Sequence, residues 1–176
     1  MKKTVKWLAM LLLAACASYS PPAPDAQQAE LILKSNLQDD TATTKNWSRV
    51  HNFFHAFADA GCTQHLGSLA AFRGFGDMRG PQETVKVAAG KRIYIRADSQ
   101  TGTHAQVGQR QTNRVCYNFV SFMPEAGQVY EMRQTDPGPF STQGCTVQLR
   151  NVNEPPPAKS FIEHKFEGQC ARLVGK

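Results

Sequence analysis

From Glu83 onward the chain is written in period two. Val85 and Val87 alternate with Lys86, Ala89-Gly90 follows as a turn, and Arg92-Ile93-Tyr94-Ile95-Arg96 alternates again. Alternation sends successive side chains to opposite faces of a strand, so one face can be buried while the other is solvated. Arg114 to Met123 reads as a strong strand, Pro124-Glu125-Ala126-Gly127 as a tight turn, and Gln128 to Arg133 as the returning strand. Asp136-Pro137-Gly138-Pro139 interrupts the pattern and Cys145 to Arg150 resumes it. Glu154 to Pro157 interrupts it again, and Ser160 to Phe166 suffices for a last short strand. Short strands separated by Gly and Pro turns predict a mainly β chain, an antiparallel β-sandwich.

The upstream half is less regular. Glu30 to Leu37, with Leu31, Leu33 and Leu37 among polar neighbours, reads as a first strand. Trp47 to Cys62 fits two periods. Val50, Phe53, Phe54, Phe57 and Ala58 match a helical face, while the aromatic content and the β context favour a core strand, which is the reading adopted. Residues 63–82 hold Gly67, Gly74, Gly76 and Gly80 and read as a long loop, and Ser99 to Asn113 as a polar one. Gly74-Phe75-Gly76 lacks the further glycine and the lysine of a phosphate-binding loop. Phe72 and Phe75 in that glycine-rich stretch are candidate partner-binding anchors, or else a plug for one end of the sandwich.

At the N-terminus Lys2, Lys3 and Lys6 precede nine apolar residues, Trp7 to Ala15. That is a signal-peptide pattern and too short for a bilayer span, which takes about 20 residues. Leu13-Ala14-Ala15-Cys16 resembles the lipobox of bacterial lipoproteins. The resemblance implies cleavage after residue 15, a lipidated Cys16 as mature N-terminus, and, with Ala17 following, an outer-membrane address facing the periplasm. Residues 16–29, small, polar and proline-rich, are then a flexible tether, and residues 30–176 the folded domain.

Three of the 20 Lys and Arg lie in the leader, which leaves 17 against 14 Asp and Glu, a net +3. A charge so mild and dispersed argues against nucleic acid as a partner. With Cys16 assigned to lipid, Cys62, Cys116, Cys145 and Cys170 remain, an even number that reads as two disulfides in an oxidising compartment. Cys116 shares a strand face with Val120 and Phe122, and Cys145 with Val147 and Leu149. Both should point inward on strands flanking the Pro124–Gly127 turn, so Cys116 is expected to pair with Cys145 and Cys62 with Cys170.

The stretch Val115 to Glu131, with Phe122-Met123-Pro124-Glu125-Ala126-Gly127 followed by Tyr130-Glu131, looks like a hairpin found in many small bacterial lipoproteins. Together with Val87 to Lys91 the resemblance covers about residues 85–150. It supports the fold and the address and implies no activity.

His51 and His55, four residues apart, lie on one face of either a helix or a strand and, with His65 or Asp59, are the candidate metal ligands. His104 and His164 read as solvated. No Gly-x-Ser-x-Gly occurs, Ser68 and Ser121 have no distinctive setting, and Glu125 and Glu131 read as exposed charges rather than a catalytic carboxylate pair. The expectation is a non-catalytic envelope lipoprotein with a binding or structural role. It needs no cofactor beyond the lipid on Cys16, which ties it to the membrane, and an envelope protein is its expected partner. The alternatives are a periplasmic metal-binding domain and, third, an envelope hydrolase.

Overall fold

A computed structural model describes residues 18–34, 48–75, 82–103, 113–135, 144–155, 157–165 and 170, with backbone alone for 48–50, 73–75, 101–103, 113 and 114. The leader, Cys16 and His104 lie outside these. The described residues form nine strands: β1 (Gln28–Lys34), β2 (Ser48–Phe57), β3 (His65–Phe75), β4 (Gln82–Ala88), β5 (Ile93–Thr103), β6 (Asn113–Phe122), β7 (Val129–Thr135), β8 (Thr146–Asn151) and β9 (Ile162–His164). They build two sheets, one of four strands in the order β4-β1-β7-β8 and one of five in the order β3-β2-β5-β6-β9. The chain is a mainly β sandwich, as its alternation requires.

Inward residues follow the period of two. Leu31 and Leu33 on β1, Val87 on β4, Tyr130 and Met132 on β7 and Val147 and Leu149 on β8 meet Phe54, Ala70, Phe72, Ile95, Val120 and Phe122 of the other sheet. Every pairing is antiparallel except β1 with β7, which run parallel from Glu30↔Val129 to Lys34↔Arg133. Parallel neighbours cannot be joined by a tight turn, and here the chain between them passes through the five-stranded sheet.

Three expectations need correction. Pro124 to Gly127 does not close a hairpin, because β6 and β7 belong to different sheets and the turn carries the chain across the sandwich. The β4–β5 connection crosses in the opposite direction, and the two are tied where Gly90 N–H donates to Pro124 O at 2.8 Å. Residues 65–75 are a strand rather than part of a loop, and Phe72 is 3% exposed, packed edge-on against Phe54 with ring centroids 6.2 Å apart. A side chain so enclosed is core and cannot anchor a partner. The side chain of Phe75 lies outside the described residues. The loop placed at 99–113 is strand at both ends, since β5 runs on to Thr103 and β6 begins at Asn113, and residues 104–112 lie outside the described residues.

Both disulfides pair as expected, Cys116 with Cys145 and Cys62 with Cys170, with Cα separations of 6.0 and 5.2 Å. Cys116–Cys145 joins β6 to the residue just before β8, so it staples one sheet to the other. The loops they close, 29 and 108 residues apart in sequence, restrict the unfolded chain by about 3.6 and 4.8 kcal/mol in the chain-entropy model.

Phe72→Ala should lower unfolding stability by about 3–5 kcal/mol, as loss of a buried aromatic does. Urea unfolding of the oxidised protein checks this, and an unchanged midpoint would place Phe72 outside the core.

Candidate functional site

The outer faces of the two sheets differ. On the four-stranded sheet Glu131, expected as an exposed charge, is instead half-buried between Lys34 at 2.7 Å and Arg150 at 3.1 Å, because both cations fold over it. That spends Glu131 in ion pairs and leaves Glu125 in its turn, so the two make no carboxylate pair. The outer face of the five-stranded sheet is aromatic, with histidines among the rings.

Register lays that face out in rungs across β2, β5 and β6: His51–Gln100–Val115, then Phe53–Asp98–Tyr117, then His55–Arg96–Phe119, then Phe57–Tyr94–Ser121. β9 extends the last two with His164 and Ile162, and β3 adds His65 beside Phe57. At the second and third rungs Arg96 and Asp98 lie buried, 8% and 5% exposed, with Arg96 Nε donating to Asp98 Oδ1 at 2.9 Å. His55 Nε2 stands 3.9 Å from the other carboxylate oxygen, and its ring is 5.7 Å from that of His65. The Arg96 guanidinium lies 6.0 Å from the Phe57 ring centre.

The third and fourth rungs are closed by a second hydrophobic cluster in which Phe57, Phe119 and Tyr94 pack with the Cys62–Cys170 bridge. Cys62 takes a left-handed φ of 54° in the β2–β3 turn. Asp59 holds that turn by accepting from the amides of Gly61, Thr63 and Gln64 and from the Thr63 hydroxyl at 2.8–3.2 Å. Its carboxyl is held below the usual range by those bonds, the ones from Gln64 and Thr63 contributing most. Asp59 is therefore committed to the turn. The first two rungs are more open: Gln100 and Val115 are exposed, and His51, Phe53 and Tyr117 half-buried.

His51 and His55 share this face, as expected, but are not brought together. The Phe53 ring stands between them, 6.3 Å from the one and 6.4 Å from the other. Two imidazoles on one zinc must each place a nitrogen about 2 Å from the ion, which this spacing forbids. Among the described residues no group of three or more His, Cys, Asp and Glu is placed to hold a metal. His164 is not an isolated solvated residue. It shares a hydrogen bond with the Ser121 hydroxyl at 2.7 Å and packs 5.4 Å from the rings of both Tyr94 and Phe119. Arg92 Nη1 donates to the same hydroxyl at 3.0 Å. Ser121 is 0% exposed, so no substrate carbonyl reaches it, and this Ser–His pair clasps β9 to β6 rather than forming a nucleophile.

Burial and the Arg96 charge reverse the usual order of titration. Burial first, then repulsion from Arg96 and His65, pushes His55 down to about 4. Burial, partly offset by Arg96, pushes Asp98 up to about 6. His65 is lowered for the same two reasons, burial and Arg96. At neutral pH the face thus holds a neutral His55 beside an ionised Arg96–Asp98 pair. The buried pair was missed in sequence because Arg96 continues a regular alternation and looks like its solvated side. The available signal was Tyr94, an aromatic residue on the same nominally polar face.

Comparison with protein-family models, with curated proteins and with solved structures returned no match. The site is therefore read from its own chemistry.

Two opposed pH dependences follow. The lowered His55 contributes stability that is complete above about pH 6.5 and is lost as pH falls towards about 4, because the unfolded chain binds its proton first. The raised Asp98 contributes stability that is complete below its ordinary 3.8 and is lost as pH rises through about 6. His55→Gln should therefore stabilise the protein at pH 4.5, relative to wild type, more than at about pH 7.5. Asp98→Asn should cost more at pH 4.5 than near neutral pH, because the contribution it removes is present in acid and is lost as pH rises through about 6. Urea titrations across this range check both, and pH-independent differences would refute the assignment.

Proposed function

We propose that the chain is a cell-envelope lipoprotein of the outer membrane, held at its periplasmic face by lipid on Cys16, whose sandwich binds an envelope protein through the end of the aromatic–histidine face that carries the exposed Gln100 and Val115. The role is non-catalytic. One observation carries the binding role: a buried Arg96–Asp98 pair in the middle of an outer sheet face, beside half-buried His51, Phe53, His55 and Tyr117. A buried ion pair is a poor device for stability, since apolar replacements of similar volume often serve as well or better. Aromatic side chains around a fixed polar centre supply large, specific contact area, which is what an interface core uses. The address rests on Lys2, Lys3 and Lys6, the apolar run and Leu13-Ala14-Ala15-Cys16. Two disulfides suit the oxidising compartment that this address implies.

Intact mass of the protein extracted from a bacterial envelope should show a chain beginning at Cys16 with acyl groups attached, and Cys16→Ser should release it from the membrane fraction. A photo-crosslinking residue at the exposed Gln100 should trap a defined adduct in that envelope, whereas the same residue at Arg150 on the other sheet should not. An unmodified chain would overturn the address. Identical or absent adducts at both positions would overturn the binding face.

A further inference from the structure

Residues 18 and 19, expected as part of a flexible tether, are docked on the domain. Ser18 bridges in parallel to Ser68 on β3, the edge strand of the five-stranded sheet, and Tyr19 N–H donates to Ser68 O at 3.0 Å. The Tyr19 side chain packs against the main core, and its hydroxyl titrates above the usual range because it is buried. Farther along, Ala26 N–H donates to Ala23 O at 3.0 Å and Gln28 Nε2 reaches Pro22 O at 3.3 Å, folding the segment into the start of β1.

Gly67 fits this docking closely. Its φ is +124°, and a Cβ there would lie 2.5 Å from the Tyr19 nitrogen and 2.6 Å from the Ser18 carbonyl carbon. Any larger residue would collide with the backbone it receives. The glycine that makes residues 63–82 resemble a loop is thus the seat of the N-terminal segment.

We propose that this docking turns the β3 edge of the sandwich towards the lipid surface, so that the domain is oriented on the bilayer rather than swinging from a long leash. The inference rests on the reading of Cys16 as the lipidated residue. Only Ala17 separates Cys16 from Ser18, and two residue steps reach at most about 7 Å. The acyl chains must therefore enter the bilayer beside Ser18 and β3. β9, at the other edge of the same sheet, lies four strand spacings away, about 19 Å at the usual 4.8 Å per spacing. The aromatic–histidine face, whose rungs run from the β3 edge to the β9 edge, then stands across the membrane surface with its flank, not its centre, at the headgroups.

The test uses the full acylated chain in vesicles of phosphatidylethanolamine and phosphatidylglycerol carrying a nitroxide on the headgroup. A fluorescent non-natural residue replaces exposed Gln64, just before β3, or exposed Glu163 on β9, so that no new cysteine is introduced. Quenching should be several-fold stronger at Gln64 than at Glu163. Six Gly and Ser residues inserted between Ala17 and Ser18 leave the docked segment intact and give the link a root-mean-square reach of about 16 Å. This insertion should abolish the difference. Gly67→Ala should weaken it by displacing residues 18 and 19. Equal quenching at both positions in an acylated, vesicle-bound protein would overturn the orientation alone, as would a difference that survives the insertion. Absence of acyl groups in the intact mass would overturn the lipoprotein reading and the orientation with it.

Discussion

The five-stranded sheet is apolar on both faces, and that constraint organises the molecule. Phe54, Ala56, Ile95, Val120 and Phe122 point one way and Phe57, Tyr94 and Phe119 the other. A sheet of this kind needs two covers. The four-stranded sheet supplies the inner one. For the outer one the chain uses a covalent device, the Cys62–Cys170 bridge, which fixes the β2–β3 turn and a residue beyond β9 over Phe57 and Phe119. The cover serves the third and fourth rungs of the face, and the surface left beyond it is aromatic because it continues the same two-sided strands. The candidate site is thus the half-buried continuation of a second core.

The same two-sidedness explains what could be read in the sequence. Segments with one buried face, such as β7 and β8, alternate cleanly and were legible. Their burial patterns alternate over their whole length. In β2 the inward Phe54 and the outward Phe53 and Phe57 superpose two period-two series, and the sum imitates a helical stripe. The strand reading held there because aromatic content and neighbouring strands outweighed periodicity. Glycine misled in the opposite sense at β3. Gly67 is in the strand to admit another backbone, and no sequence pattern separates that use from a flexible loop.

Turn chemistry told where the chain reverses and was silent on which sheet receives the next strand. Pro124 to Gly127 is a sound turn, yet β6 and β7 fall in different layers. The cysteine pairing nonetheless followed, since strand parity alone placed Cys116 with the inward set and Cys145 near the inward set of β8. A staple between layers and one across a hairpin demand the same parity, which is why a partly mistaken topology led to the right bridge.

The histidines and charges were legible as residues and not as a site, for an electrostatic reason. Arg96 and Asp98 are two apart on one strand, a spacing that exposed charges often show, and their burial comes from Tyr117, Phe119 and Phe57 on neighbouring strands and from His55 opposite Arg96. Once buried, they set the protonation of what surrounds them. Burial, and after it the guanidinium's repulsion, lowers His55 and His65, and burial raises the Asp98 carboxyl above the range of an exposed aspartate. Around neutral pH the pair presents no net charge on the face, and on acidification the carboxylate takes its proton before His55 does, uncovering the positive charge of Arg96. On the proposed reading of this face as a binding surface, a partner is selected by shape and hydrogen bonding at neutral pH, with charge added in acid.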